Sequence, residues 1–124
     1  MRDVVEALVR SIRPCDELEE RHRLETLEWI ASGAPLFRVR APATPPRHLV
    51  SYFALFDPTA RRMLLVDHRK AGLWLPSGGH GEENEHPRTT VEREAEEELG
   101  IDAVELPGVE GERPAAVAAQ HVPE

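Results

Sequence analysis

A chain of 124 residues points to a single small domain. Its hydrophobic share of 40% and charged share of 31% place it with globular proteins and exclude a disordered or membrane-embedded chain. A net charge of -8 excludes a general nucleic-acid binder, which needs a basic face for phosphates. It leaves room for a small phosphate-bearing ligand whose charge a divalent cation offsets. The one cysteine, Cys15, excludes an intrachain disulfide and reads as a small half-buried residue rather than a catalytic thiol. The opening MRDVVEALVR carries Asp3 and no long apolar core, so it is neither signal peptide nor anchor. No run approaches the ~20 apolar residues of a membrane span. A cytoplasmic location with no membrane partner is the expectation.

In chain order, Val4, Val5, Leu8, Val9 and Ile12 predict a helix over 3–13, ended by Pro14. Asp16 and Glu19 have the spacing of a capping box, in which each side chain bonds the other residue's end of the turn. They predict a second helix over 17–32, with Leu24, Leu27 and Ala31 on its buried stripe and Gly33 as the stop. The pair reads as a helical hairpin, an N-terminal extension over 1–40 that serves packing or a dimer contact. The proline-rich APATPPR at 41–47 reads as a linker. The domain proper is expected over 48–124, after a soft boundary in this linker.

That domain opens with HLVSYFALF, a run of β-branched and aromatic residues. Asp57-Pro58 supplies a turn, and Arg62–Asp67 reads as the returning strand of a hairpin. Residues 71–81, AGLWLPSGGHG, read as a glycine-rich loop. Pro87 marks the first turn of a third helix, with Val91, Ala95 and Leu99 as its buried stripe and Gly100 as its left-handed stop. Ile101–Leu106 reads as a further strand, and the tail from Pro107 carries little pattern.

The third helix carries the chemistry. Glu94, Glu97 and Glu98 stand at i, i+3 and i+4, which puts three carboxylates on one face. Such a run is usually a solvated acidic surface. It is also the oxygen-rich donor set that magnesium takes together with phosphate oxygens and water. Two neighbours favour the second reading. Gly78 and Gly79 precede the helix and permit close backbone approach to a ligand. Arg93 lies beside Glu94 and one turn before Glu97, where a guanidinium can hold a carboxylate with two parallel hydrogen bonds.

These residues resemble the Nudix box, G-x5-E-x7-R-E-U-x-E-E-x-G-U with U aliphatic. Gly79, Glu85, Arg93, Glu94, Ala95, Glu97, Glu98, Gly100 and Ile101 meet every fixed position, with Ala95 a small version of U. The preceding LWLPSGG is similar to the strand and loop that enter the box, and the likeness covers about residues 48–106. The resemblance implies an α/β (α+β) fold, an α/β/α sandwich built on a mixed sheet, to which the helical hairpin is added. It implies a hydrolase that cleaves a pyrophosphate bond in a nucleoside diphosphate linked to another moiety. The cofactor implied is magnesium or manganese, held by Glu94, Glu97, Glu98 and the Gly79 carbonyl, with Glu85 supporting the cluster through water. Arg93 would orient a glutamate of the box, and the general base would be Glu94 or Glu98.

Outside the box, Arg69, Lys70, Trp74 and His80 are candidate substrate contacts. The first reading of Arg69 and Lys70 is nonetheless a solvated hairpin end, and that of Trp74 is core. His80 and His86 are too isolated to suggest zinc. Gly81 stands where the family carries an aliphatic residue and is expected to loosen the loop. Asn84 stands where glycine is common and tolerates the left-handed region. Few residues follow the box, so the closing strands of the sandwich are expected to be incomplete, with a homodimer supplying the cover. The alternative function is a catalytically weak module that binds a nucleotide or a partner.

Overall fold

The computed structural model describes residues 1–57 and 59–102. Helices α1 (Arg2–Ser11) and α2 (Glu17–Ala31) are followed by six short strands and helix α3 (Pro87–Leu99). The strands are β1 (Val50–Phe53), β2 (Phe56–Asp57), β3 (Arg62–Met63), β4 (Val66–His68), β5 (Leu73–Leu75) and β6 (Ser77–His80). The class is mixed α+β. Among the described residues the strands form three two-stranded antiparallel sheets, β1 with β6, β2 with β3 and β4 with β5. No described helix is long and apolar enough to cross a membrane.

The chain divides into two compact units, one containing Met1–His48 and the other beginning at Leu49. In the first, α1 and α2 pack on each other. Val5, Val9 and Ile12 are buried, as their spacing predicts, along with Ile30 and Leu36. Each such side chain contributes about 1.5–3 kcal/mol, so the hairpin has a core of its own. The buried face of α2 differs from expectation. Thr26 and Ile30 point inward, while Leu24 and Ala31 are exposed and Leu27 is half-buried. Thr26 and Ile30 are one helical turn apart, and the Thr26 hydroxyl donates to the His22 carbonyl at 2.7 Å, so a polar residue buries without an unmet bond.

The capping box forms. Asp16 accepts from the Glu19 amide at 2.8 Å, and Glu19 reaches back one residue further than expected, to the Cys15 amide at 2.6 Å. Cys15 is therefore exposed on the turn, not half-buried, and Glu19 beside it pushes its thiol pKa up. The last turn of α2 has no basic residue of its own. Arg2 supplies the charge from α1, donating to the Ile30 and Ala34 carbonyls at 2.6 Å each. Over 41–47 the chain makes an isolated bridge between Arg40 and Thr44.

In the second unit the single expected hairpin is split. Its turn is present: Asp57 accepts from the Thr59 and Ala60 amides at 3.0 Å each, and Phe56 pairs with Met63. Beyond it the partners change. β1 pairs with β6, and β4 pairs with β5. Residues 71–81, expected as a loop, thus hold two strands. Glycine is what lets β6 lie against β1: a Cβ on Gly78 would meet the Ser51 carbonyl and, at 2.7 Å, the Tyr52 Cα. Ile101 and Asp102 carry no regular structure. The rest of the expected strand and the tail lie outside the described residues, as does any dimer contact made by that tail.

Candidate functional site

The site is built where α3 packs on β6 and on its ladder partner β1. The helix starts as expected. His86 is its N-cap, its Nδ1 accepting from the Arg88 amide at 3.1 Å, and Pro87 occupies the first position. It ends at Gly100, whose φ of 63 is the left-handed stop. Ala95 is 0% exposed and Val91 and Leu99 are half-buried, so the predicted stripe does face the strands.

Arg93 organises the loop ahead of the helix. Its Nε and Nη2 donate to the two carboxylate oxygens of Glu85 at 3.0 Å each. Nη2 also donates to the His80 carbonyl at 3.1 Å, and Nη1 to Glu94 Oε1 at 2.8 Å. Glu97, with its side chain 61% exposed, is 3.4 Å from Nη1. The glutamate held in the two-pronged grip is therefore Glu85. Its carboxylate further accepts from the Thr90 hydroxyl at 2.8 Å and the Glu82 amide at 3.0 Å.

These bonds favour the charged form. Donation from Arg93, aided by the Glu82 amide and the Thr90 hydroxyl, holds the Glu85 carboxyl down at about 2, well below the ordinary 4.5. The reciprocal bond to Glu85 pushes the Arg93 pKa up. With both oxygens bound inside the protein, Glu85 acts on the loop and on Arg93. The expected path from Glu85 to a metal through water has those bonds as competitors. The loop is fastened at His80 and Glu82 despite Gly81, and Asn84 takes the expected left-handed φ of 61.

The three helix glutamates have distinct surroundings. The Glu94 carboxylate sits against Gly79, where any Cβ would collide with it. The Ser77 hydroxyl donates to Glu98 Oε2. Glu97 faces outward beside Arg93. Among the described residues no three His, Cys, Asp or Glu side chains converge on one point as a metal-holding group. The donors nonetheless match a hard divalent cation in kind, being carboxylate and carbonyl oxygens. The space in front of Gly79 exists because glycine has no side chain.

The NUDIX domain family model matches residues 45–120. The chain belongs to the Nudix family. Nudix proteins as a family are hydrolases of pyrophosphate bonds in small nucleotide-type substrates and generally use a divalent metal such as magnesium. Searches of curated proteins and of solved structures return no match to this Nudix chain.

Of the candidate substrate residues, Arg69 and Lys70 are exposed in the tight turn between β4 and β5, a hairpin end. Trp74 on β5 is 66% exposed, so its reading as core is corrected. It pairs across the sheet with Asp67, a charged residue in a two-stranded sheet too small to bury either. His80 lies on β6 at the box entrance and gives its carbonyl to Arg93. Two hydroxyl residues escape the motif altogether. Thr90 is 1% exposed and Ser77 4% exposed, and each donates to a glutamate of the box. Their signal was their spacing: Thr90 is one turn before Glu94 and Ser77 one strand period before Gly79.

Proposed function

We propose that this Nudix chain hydrolyses a pyrophosphate bond in a nucleoside diphosphate linked to another moiety, as a cytoplasmic enzyme whose catalytic domain is 48–124 and whose residues 1–40 are an extension. Glu94, Glu97, Glu98 and the Gly79 carbonyl would hold magnesium or manganese. When bound, the cation offsets phosphate charge and acidifies the attacking water. The single observation that supports the reading is the seat of Glu94. Arg93 fixes one of its oxygens at 2.8 Å while the bare backbone of Gly79 leaves its carboxylate room that no other residue would leave.

From this seat the residues divide the work. Glu94 or Glu98 takes the proton of the attacking water. Arg93 is the positioning residue, and Glu85 keeps its guanidinium from turning away. His80, at the entrance to the box, and the exposed Arg69, Lys70 and Trp74 are the groups offered to the rest of the substrate, the two cations to phosphate and Trp74 to a base. The test is product release from nucleotide sugars, dinucleotides and nucleoside triphosphates with and without magnesium. Metal-dependent cleavage of one class is expected. No cleavage of any class under either condition would overturn the reading in favour of a binding module.

A further inference from the structure

We propose that Ser77 is a positioning residue that sets Glu98 for metal binding, an inference that rests on the proposed metal site. β6 and α3 are matched in spacing. Ser77 and Gly79 are two residues apart on a strand, so they share a face about 6.6 Å apart. Glu94 and Glu98 are four apart on a helix, so they share a face about 6 Å apart. The two pairs lie in register: Gly79 contacts Glu94, and the Ser77 hydroxyl donates to Glu98 Oε2.

The two strand positions act in opposite ways. At Gly79 the missing side chain makes room for a carboxylate. At Ser77 a short side chain takes hold of one. Ser77 is 4% exposed and pairs with Phe53 in the β1–β6 ladder, so its Cα cannot wander. Glu98 is otherwise exposed, and among the described residues the Ser77 hydroxyl is its hydrogen-bond partner. A glutamate on a helix surface samples several rotamers and would lose that freedom on ligating a cation. The bond to Ser77 removes part of that cost beforehand. It occupies Oε2 and leaves Oε1 for the metal. Partners that orient a ligand in this way are commonly worth 10–100-fold in metal affinity.

The experiment titrates Mn2+ alone, by electron paramagnetic resonance, into the full chain and into S77A, S77T, E98Q and the S77A/E98Q double variant, with thermal melting of each metal-free protein. Expected is a dissociation constant about 10–100-fold weaker in S77A, with a melting temperature near wild type. S77T, which restores the hydroxyl, should recover most of the affinity, and in the E98Q background S77A should have no further effect. Wild-type affinity in S77A, when E98Q does weaken binding, would overturn this inference alone. Equal weakening by S77A with and without Glu98 would also overturn it, because the effect would not pass through that residue. A wild-type chain that does not bind Mn2+ would overturn the metal site itself, and this inference with it.

Discussion

Arg93 grips both carboxylate oxygens of Glu85 from eight residues along the chain, at 3.0 Å each, and thereby folds the loop onto the helix that follows it. A lysine has the same charge but one donor point, and it cannot serve Glu85, Glu94 and the His80 carbonyl together. Arg93→Lys should therefore cost about 2 kcal/mol, roughly 10 °C in melting temperature, because charge-assisted bonds at a part-buried site are lost. Activity should fall by about 10–100-fold through the loosened Glu94. Melting curves and turnover on a confirmed substrate check both. A lysine variant equal to wild type in both would show that the fork is dispensable.

The same bond predicts a pH dependence. The Glu85 carboxyl has its pKa lowered in the folded chain to about 2 against an ordinary 4.5. Its contribution is thus present above 4.5 and is lost as pH falls through 4.5 toward 2, when the carboxylate takes up a proton and Arg93 loses its partner. In Glu85→Gln that contribution is missing at every pH. The stability gap between wild type and Glu85→Gln, measured by urea unfolding, should be widest near neutral pH, shrink below 4.5 and approach zero near 2. A gap that stays constant across this window would mean that the bond carries no net stability.

The sequence made the site far more legible than the sheet. Gly79, Glu85, Arg93 and the three glutamates were visible because helical spacing and the box fix them locally. The Asp16 cap, the Pro87 start and the Gly100 stop were visible for the same reason. Pairing is not local. The β-branched and aromatic run HLVSYFALF and the Asp57-Pro58 turn point to RMLLVD as its partner, but nothing in either run states that β1 would bond to SGGH. Composition misled there, since two glycines look like a loop until a strand lies close enough to require them. Trp74 reads as core in the sequence and is exposed in the fold for a related reason. Its burial depends on sheet size, which no single segment encodes.

Charge removal should separate the glutamates. Glu98→Gln and Glu94→Gln keep size and delete charge, and turnover should fall by roughly 10²–10⁴ for a residue that acts as base or essential ligand. Glu96, exposed at the free position of the box, provides the contrast: Glu96→Gln should leave turnover near wild type. Steady-state rates for all three variants at saturating magnesium decide the matter. An equal loss in Glu96→Gln would point to a general effect of helix charge instead of particular ligands.

Trp74 offers a test of substrate contact that folding does not obscure. It is 66% exposed, so Trp74→Ala should change stability by no more than about 0.5 kcal/mol. If the indole stacks on a nucleobase, a contact worth about 1–3 kcal/mol, KM should rise by roughly 5–150-fold while kcat is kept. Unchanged KM for a substrate that carries a base would remove Trp74 from the site.

Two adjacent glycines should fail in different ways. A Cβ at Gly78 would meet backbone, namely the Ser51 carbonyl and the Tyr52 Cα, neither of which can yield without opening the β1–β6 pairing. Gly78→Ala should therefore cost about 2–3 kcal/mol, the range of other changes that force a strained backbone. The nearest atoms that a Cβ at Gly79 would meet are the carboxylate of Glu94, the far end of a flexible side chain. That carboxylate can swing aside, but doing so breaks its 2.8 Å bond to Arg93 and vacates its seat on the strand. Gly79→Ala should consequently fold with a smaller loss of stability and yet be nearly inactive, with weakened metal binding. Urea unfolding and Mn2+ titration of the two variants, side by side, measure the contrast. A Gly79→Ala variant with ordinary activity would mean that the closeness of Gly79 to Glu94 has no part in the chemistry.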